Sequence, residues 1–218
     1  MRRALGVIMT AMVIQPPNPA AAQDVAIGPQ VVFGDYREVS ADLHYRGAGV
    51  GGAASVTWKQ FGADVAFFAL AYEPTDDGTA TQAFDATQLD MRLRYYVTGP
   101  VSAELGIVNR DVDPEFEAQS LGAVSAGARL AYVLGPGVRM NLRGALLFGA
   151  KFSGGGTSSP LGAMELGLSV GVDALRGRLR LTGNYDFQRI TRETDDGSGE
   201  VEVPIQQSLG RVGVAIVF

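Results

Sequence analysis

The sequence predicts an all-β fold, a transmembrane antiparallel up-and-down β-barrel of about ten strands, with eight as the alternative count. Three observations predict it. Apolar and polar side chains alternate with a period of two, which puts successive residues on opposite faces of a strand. Connections between the alternating segments are short and long in turn. The last segment alternates right up to Phe218.

The chain has 218 residues, 46% of them hydrophobic and 19% charged, which suits one domain. It has no cysteine, so disulfide scaffolds and zinc-thiolate sites are excluded, and no cofactor or metal is expected. Met1-Arg2-Arg3, the apolar run Ala4–Ile14, three prolines and Ala20-Ala21-Ala22-Gln23 form the pattern of a cleaved signal peptide over 1–23. That apolar run is too short to cross about 30 Å of hydrocarbon as a helix. Removing Arg2 and Arg3 leaves 16 basic against 23 acidic residues, a formal charge of −7, which argues against nucleic acid as a partner.

Alternation is clearest over 178–188. Leu179, Leu181, Gly183, Tyr185 and Phe187 form one face there, against Arg178, Arg180, Thr182, Asn184, Asp186 and Gln188 on the other. Segments 88–97, 138–152 and 164–173 repeat the split, and no apolar face carries a charge. Strands are expected near 36–46, 53–61, 64–73, 87–98, 101–109, 122–134, 138–152, 163–173, 178–190 and 208–218. The barrel thus occupies 36–218, and 24–35 is either a periplasmic segment or the start of the first strand. Tight turns are placed around 62–64, 98–100, 135–137 and 174–177. Polar connections are placed at 74–87, 110–120, 154–162 and 191–207, as expected when one barrel end carries tight turns and the other long loops. Trp58, Tyr45, Tyr95, Tyr132, Phe148, Phe152, Tyr185 and Phe187 are candidates for the aromatic belts at the two membrane interfaces.

The final strand, from Gly210 to Phe218, alternates Val212, Val214, Ile216 and Phe218. It resembles the C-terminal signature of the Gram-negative outer-membrane β-barrel superfamily, including its small porin-like members. The resemblance implies export across the inner membrane and escort by periplasmic chaperones. It also implies recognition of the terminal strand by the barrel-assembly machinery and a final location among outer-membrane lipid and lipopolysaccharide.

If the apolar faces meet lipid, the opposite faces line the lumen. They would gather Arg46, Lys59, Arg92, Arg94, Arg129, Arg139, Arg143, Arg180 and Arg211 with Asp42, Asp90, Glu104, Glu165 and Asp186. A ten-stranded barrel is narrow, so these charges are expected to pair and fill it, or to leave a small arginine-rich passage for a small-molecule solute, favouring anions. The expected function is therefore structural or that of a narrow pore, and not enzymatic. Two other classes stay open. His44, the only histidine, shares a polar face with Ser40 and Asp42 and could serve a lipid hydrolase or acyltransferase. The acidic stretches 73–78, 111–117 and 193–200 could act as surface adhesin loops; they lack EF-hand spacing and read first as turns.

Overall fold

The computed structural model of the chain describes residues 24–113, 116, 119–195 and 199–218. The expected signal peptide lies outside them. Ten strands run in chain order: β1 (Asp24–Glu38), β2 (Leu43–Trp58), β3 (Phe61–Pro74), β4 (Phe84–Thr98), β5 (Val101–Val112), β6 (Leu121–Gly135), β7 (Val138–Phe152), β8 (Ala163–Ala174), β9 (Leu179–Asp195) and β10 (Glu200–Val217). Each pairs antiparallel with its sequence neighbours, and β10 pairs with β1 from Ala26 opposite Val217 to Glu38 opposite Ile205, closing the barrel. Closure leaves no strand edge unpaired, which a sheet facing hydrocarbon requires.

The outer face is a continuous apolar band. Phe33, Leu93, Leu105, Val124, Leu166, Tyr185 and Val212 all project outward and are exposed. On β4 the band runs from Leu89 to Val97, about 20 Å of height for a strand tilted by about 40°. Among the described residues, outward charges on the strands, such as Asp35, Arg46 and Arg189, lie near the long-loop end. Trp58, Phe61 and Tyr95 sit outward at the short-turn end, with the Phe61 and Tyr95 rings 5.4 Å apart, as one aromatic belt.

The expected ten strands are present, but the first three are displaced. Strand β1 starts at Asp24, the chain turns at 39–42 inside the expected strand 36–46, and the next tight turn is 59–60 rather than 62–64. The misleading feature was Gly47-Ala48-Gly49-Val50-Gly51-Gly52, which reads as a loop and lies in the middle of β2. Gly47, Gly49 and Gly51 point into the barrel where β3 crowds them; a Cβ on Gly49 would stand 1.8 Å from the Ala69 carbonyl oxygen. Glycine here allows close backbone approach rather than a turn. Gly49→Val is expected to block closure, so that the heat-modifiable band of a folded barrel disappears from gels.

The expected loop 191–207 is likewise mostly strand: β9 and β10 continue as a hairpin pairing Ile190 with Ile205 and Asp195 with Glu200. A further departure comes from a bulge in β7. Gly149 adopts φ 60°, and the pairing with β6 slips between Gly122 and Val124. One extra residue reverses the alternation beyond it. Phe152 therefore faces inward and is buried, and Lys151 faces outward. Tyr45 also points inward, so neither Tyr45 nor Phe152 belongs to an interface belt.

Candidate functional site

The interior is layered along the barrel axis. At mid-height, inward positions of β4, β7, β8, β9 and β10 bring Asp90, Arg92, Arg143, Glu165, Asp186 and Arg211 together. Arg92 reaches Glu165 at 2.8 Å and Asp90 at 3.6 Å. Arg143 reaches Glu165 at 2.6 Å and Asp186 at 2.7 Å through the same nitrogen, Nη2, while Arg211 pairs with Asp186. Five of the six residues are buried, and Arg143 keeps 9% of its side chain exposed.

Beside it, Arg129 holds Glu104 with a two-nitrogen fork at 2.8 and 2.9 Å. Arg129 and Arg94 share Asp64 at 3.1 and 2.8 Å. Nearer the short-turn end, Arg139 and Arg180 both bind Asp24 and Asp173, at 2.8 to 3.0 Å for Arg139 and 2.7 to 2.9 Å for Arg180. Each of the three clusters matches its arginines with an equal number of carboxylates. Buried charge is thereby paired wherever it occurs, which is the condition for tolerating it away from bulk water.

Eleven of the fourteen charges expected in the lumen thus lie there, and three do not. Asp42 occupies the exposed 39–42 turn with φ 52°, and Lys59 occupies the 59–60 turn, its ammonium 4.8 Å from the Trp58 ring. Arg46 projects outward near the long-loop end, 3.8 Å from Asp35. Their misplacement follows from the shifted register of β1 and β2, because a one-residue error exchanges the two faces. Four charged interior residues went unrecognised. Asp24 and Asp64 were placed outside or at the edge of strands, Asp173 ends its strand, and Arg110 was assigned to a loop. Arg110 is buried, donates to the Gln207 side chain at 2.9 Å and the Gln119 carbonyl oxygen at 3.2 Å, and stacks over Tyr36.

Toward the long-loop end the interior becomes mostly aromatic and aliphatic, with Arg110, Gln88, Gln188 and Gln207 buried among the rings. Tyr36, Tyr45, Tyr72 and Phe84 are almost wholly buried, and Phe84 lies 4.9 Å from both Tyr45 and Tyr72, 5.9 Å from Tyr36 and 5.1 Å from Phe116. Val32, Phe68, Leu70, Leu121, Leu147, Ile190, Ile205 and Leu209 fill the remaining space in one contiguous cluster. Alternation alone could not reveal this layer: Phe68, Leu70 and Tyr72 alternate as regularly as any lipid-facing set, but point the other way.

Toward the short-turn end the interior opens into a cavity of about 720 Å³. Its wall runs from the turn residues Lys59, Gln60 and Gly99 up to Arg92 and Arg211 and stops below the aromatic layer.

His44 does not meet Ser40 and Asp42. Its Nδ1 lies 2.7 Å from Asp77 and its Nε2 2.8 Å from Asp35, and the Ser40 hydroxyl instead donates to the Glu202 carbonyl oxygen at 3.4 Å. Neither nitrogen is free to take a proton from a serine, so the Ser40, His44 and Asp42 grouping is not assembled. The contact ties the 75–83 loop to β1 and β2. Hydrogen bonding from the Thr75 side chain, and then from His44, holds the Asp77 carboxyl down at about 2. A carboxyl depressed in the folded state contributes stability above its unfolded value near 4, and the contribution is lost as pH falls toward about 2. Limited proteolysis should therefore cut 75–83 faster as pH falls from about 4 to 2, with Asp77→Asn abolishing the change. Among the described residues, no group of three or more His, Asp or Glu side chains is arranged to hold a metal ion.

No protein-family model matches the chain, and no curated protein matches it. Its fold is similar to those of several solved barrels. Neisserial surface protein A is 11% identical with a TM-score of 0.43, over 89% of this chain and 97% of that one. The translocator domain of autotransporter NalP from Neisseria meningitidis is 14% identical with a TM-score of 0.42, over 91% and 89%. The outer membrane protease OmpT from Escherichia coli is 9% identical with a TM-score of 0.38, over 96% and 99%. At these identities and TM-scores the likeness goes no further than a shared antiparallel barrel; the closed ring of ten strands is read from this chain's own pairing.

Proposed function

We propose that the chain is a closed, structural barrel of the Gram-negative outer membrane, with its long loops outside and its short turns in the periplasm. The observation that carries this reading is the layered interior, in which a buried aromatic layer lies above paired charges. A constriction packed with buried rings and aliphatic side chains, in which Arg110, Gln207 and Tyr72 are hydrogen-bonded to one another, resists hydration and ion passage. The charge-free outer band favours a membrane location, since a charge facing mid-bilayer lipid costs about 2 to 4 kcal/mol. In this reading residues 1–23 direct export. Val212, Val214, Ile216 and Phe218, all exposed on the outer face of the last strand, are presented to the assembly machinery. Lipid and lipopolysaccharide are its surroundings.

The test is planar-bilayer recording of the purified, heat-modifiable barrel. The structural reading expects traces indistinguishable from the bare bilayer. Steady unitary conductance from the wild-type chain would refute it and restore the narrow pore.

A further inference from the structure

The cavity at the short-turn end is too large and too one-sidedly lined to be a packing defect. Its volume of about 720 Å³ falls in the range of small-molecule pockets, about 300 to 1,000 Å³. It is open at the turn level and ends blindly beneath the aromatic layer. The three ion-pair clusters are neutral as sets, but their two signs are not equally presented. Seven arginines line the cavity, with Lys59 only at its rim in the 59–60 turn and its ammonium turned to Trp58, against the three carboxylates Asp24, Asp64 and Asp186. Asp90, Glu104, Glu165 and Asp173 are not on its wall. The surface met by an entering molecule is thus rich in guanidinium groups, anchored from behind by carboxylates.

Several of those groups have donors to spare. Arg143, with only 9% of its side chain exposed, engages both Glu165 and Asp186 through Nη2, so Nε and Nη1 have no hydrogen-bond partner among the described residues. Arg92, Arg94 and Arg211, each more than nine-tenths buried, also leave Nε without an acceptor, but those three atoms are themselves out of reach of solvent. A guanidinium offers five N–H donors in a planar fork that matches the paired oxygens of a carboxylate or phosphate. Wall segments between the arginines are small or uncharged, as at Ala26, Ala53 and Ala66, leaving room for a carbon skeleton.

We propose that this cavity is a binding pocket for a small solute bearing carboxylate or phosphate groups, entered from the periplasmic end and closed toward the exterior. Arg143 supplies the central donors, Nε–H and Nη1–H as separate points rather than a paired fork, with Arg92 and Arg211 beside it. Binding here is independent of conduction, so the pocket can exist in a barrel that passes nothing.

The experiment titrates the folded, detergent-solubilised chain by calorimetry with citrate, pyrophosphate and, as reference, chloride. Citrate separates the carboxylate source from the phosphate source, and saturable binding of either supports the pocket. The expected result is a dissociation constant below about 1 mM for at least one of them, with no saturable chloride heat. Arg143→Gln should weaken that binding at least about tenfold. Because that change strands Glu165 and Asp186, the charge-balanced Arg143→Gln/Glu165→Gln is tested beside it, with heat-modifiable migration certifying the fold. Equal affinity in either folded variant, or no saturable binding of both probes to the wild type, overturns the proposal.

Discussion

With Tyr72 and Phe84 both replaced by alanine, the barrel is expected to pass from electrically silent to conducting. The two rings stack 4.9 Å apart at an interplanar angle of 24°, and Phe84 also touches Tyr36, Tyr45 and Phe116. Removing one ring leaves the other to close the gap; removing both takes away the centre of the aromatic layer. Between that gap and the cavity wall at Ala66, Phe68 and Leu70 are the inward residues of β3, so conduction requires these side chains to yield into the vacated space. Each truncation alone should cost about 3 to 5 kcal/mol, and the pair less than the sum because the rings share contacts. The complete ring of ten paired strands should still close, so heat-modifiable migration should survive. Conductance should favour anions, since arginines dominate the cavity wall. Tyr72→Phe, which keeps the ring, should stay silent.

The second large effect concerns stability. Arg143→Ala removes a cation that is in contact with both Glu165 and Asp186 while leaving those carboxylates largely buried. Arg92 still partners Glu165, and Arg211 still partners Asp186, but each then serves a carboxylate that has lost a partner. Breaking a buried pair from one side costs about 3 to 5 kcal/mol, because the remaining charge keeps its desolvation penalty. The urea midpoint of the lipid-reconstituted barrel should fall accordingly. Arg143→Leu combined with Glu165→Gln should recover most of the loss, since cation and anion leave together. Recovery separates the cost of a stranded charge from that of a lost packing volume.

How far these features were legible depends on which signal each strand carried. Strands β7, β8 and β9 could be read from alternation because charge marks one face: Arg139 and Arg143, Glu165, and Arg180 with Asp186. Strands β1 and β2 carry little charge at mid-length, and β2 is rich in glycine, so the period-two signal faded and its glycines resembled a turn. From that error came the misplacement of Asp42, Arg46 and Lys59 and the loss of Asp24 and Asp64. The bulge at Gly149 was equally hidden, because nothing in Leu-Phe-Gly-Ala-Lys-Phe separates a bulged strand from a regular one.

The aromatic layer failed to show for another reason. A lipid-facing residue and a residue buried inside the barrel share the same chemistry, and only register tells them apart. Phe67 faces out and Phe68 faces in, and the sequence of β3 reads as apolar on both. The paired lumen charges, by contrast, were foreseeable: arginines and carboxylates confined to a narrow closed space have few partners besides one another. The excess of arginine expected in the lumen resolves into three balanced clusters plus Arg110, which has hydrogen-bonding amide groups and a tyrosine ring around it.

The central claim, a lumen open at the short-turn end and sealed at the other, is tested most directly by one-sided labelling. The chain has no cysteine, so Ser55→Cys, inside the cavity wall, supplies a single reactive thiol. The variant is inserted into vesicles in one orientation, established by which loops an external protease cuts. It is then exposed to a small membrane-impermeant maleimide on either side. Labelling only from the side bearing the short turns is the predicted result. Comparable labelling from the long-loop side would show a continuous path through the aromatic layer and contradict the account.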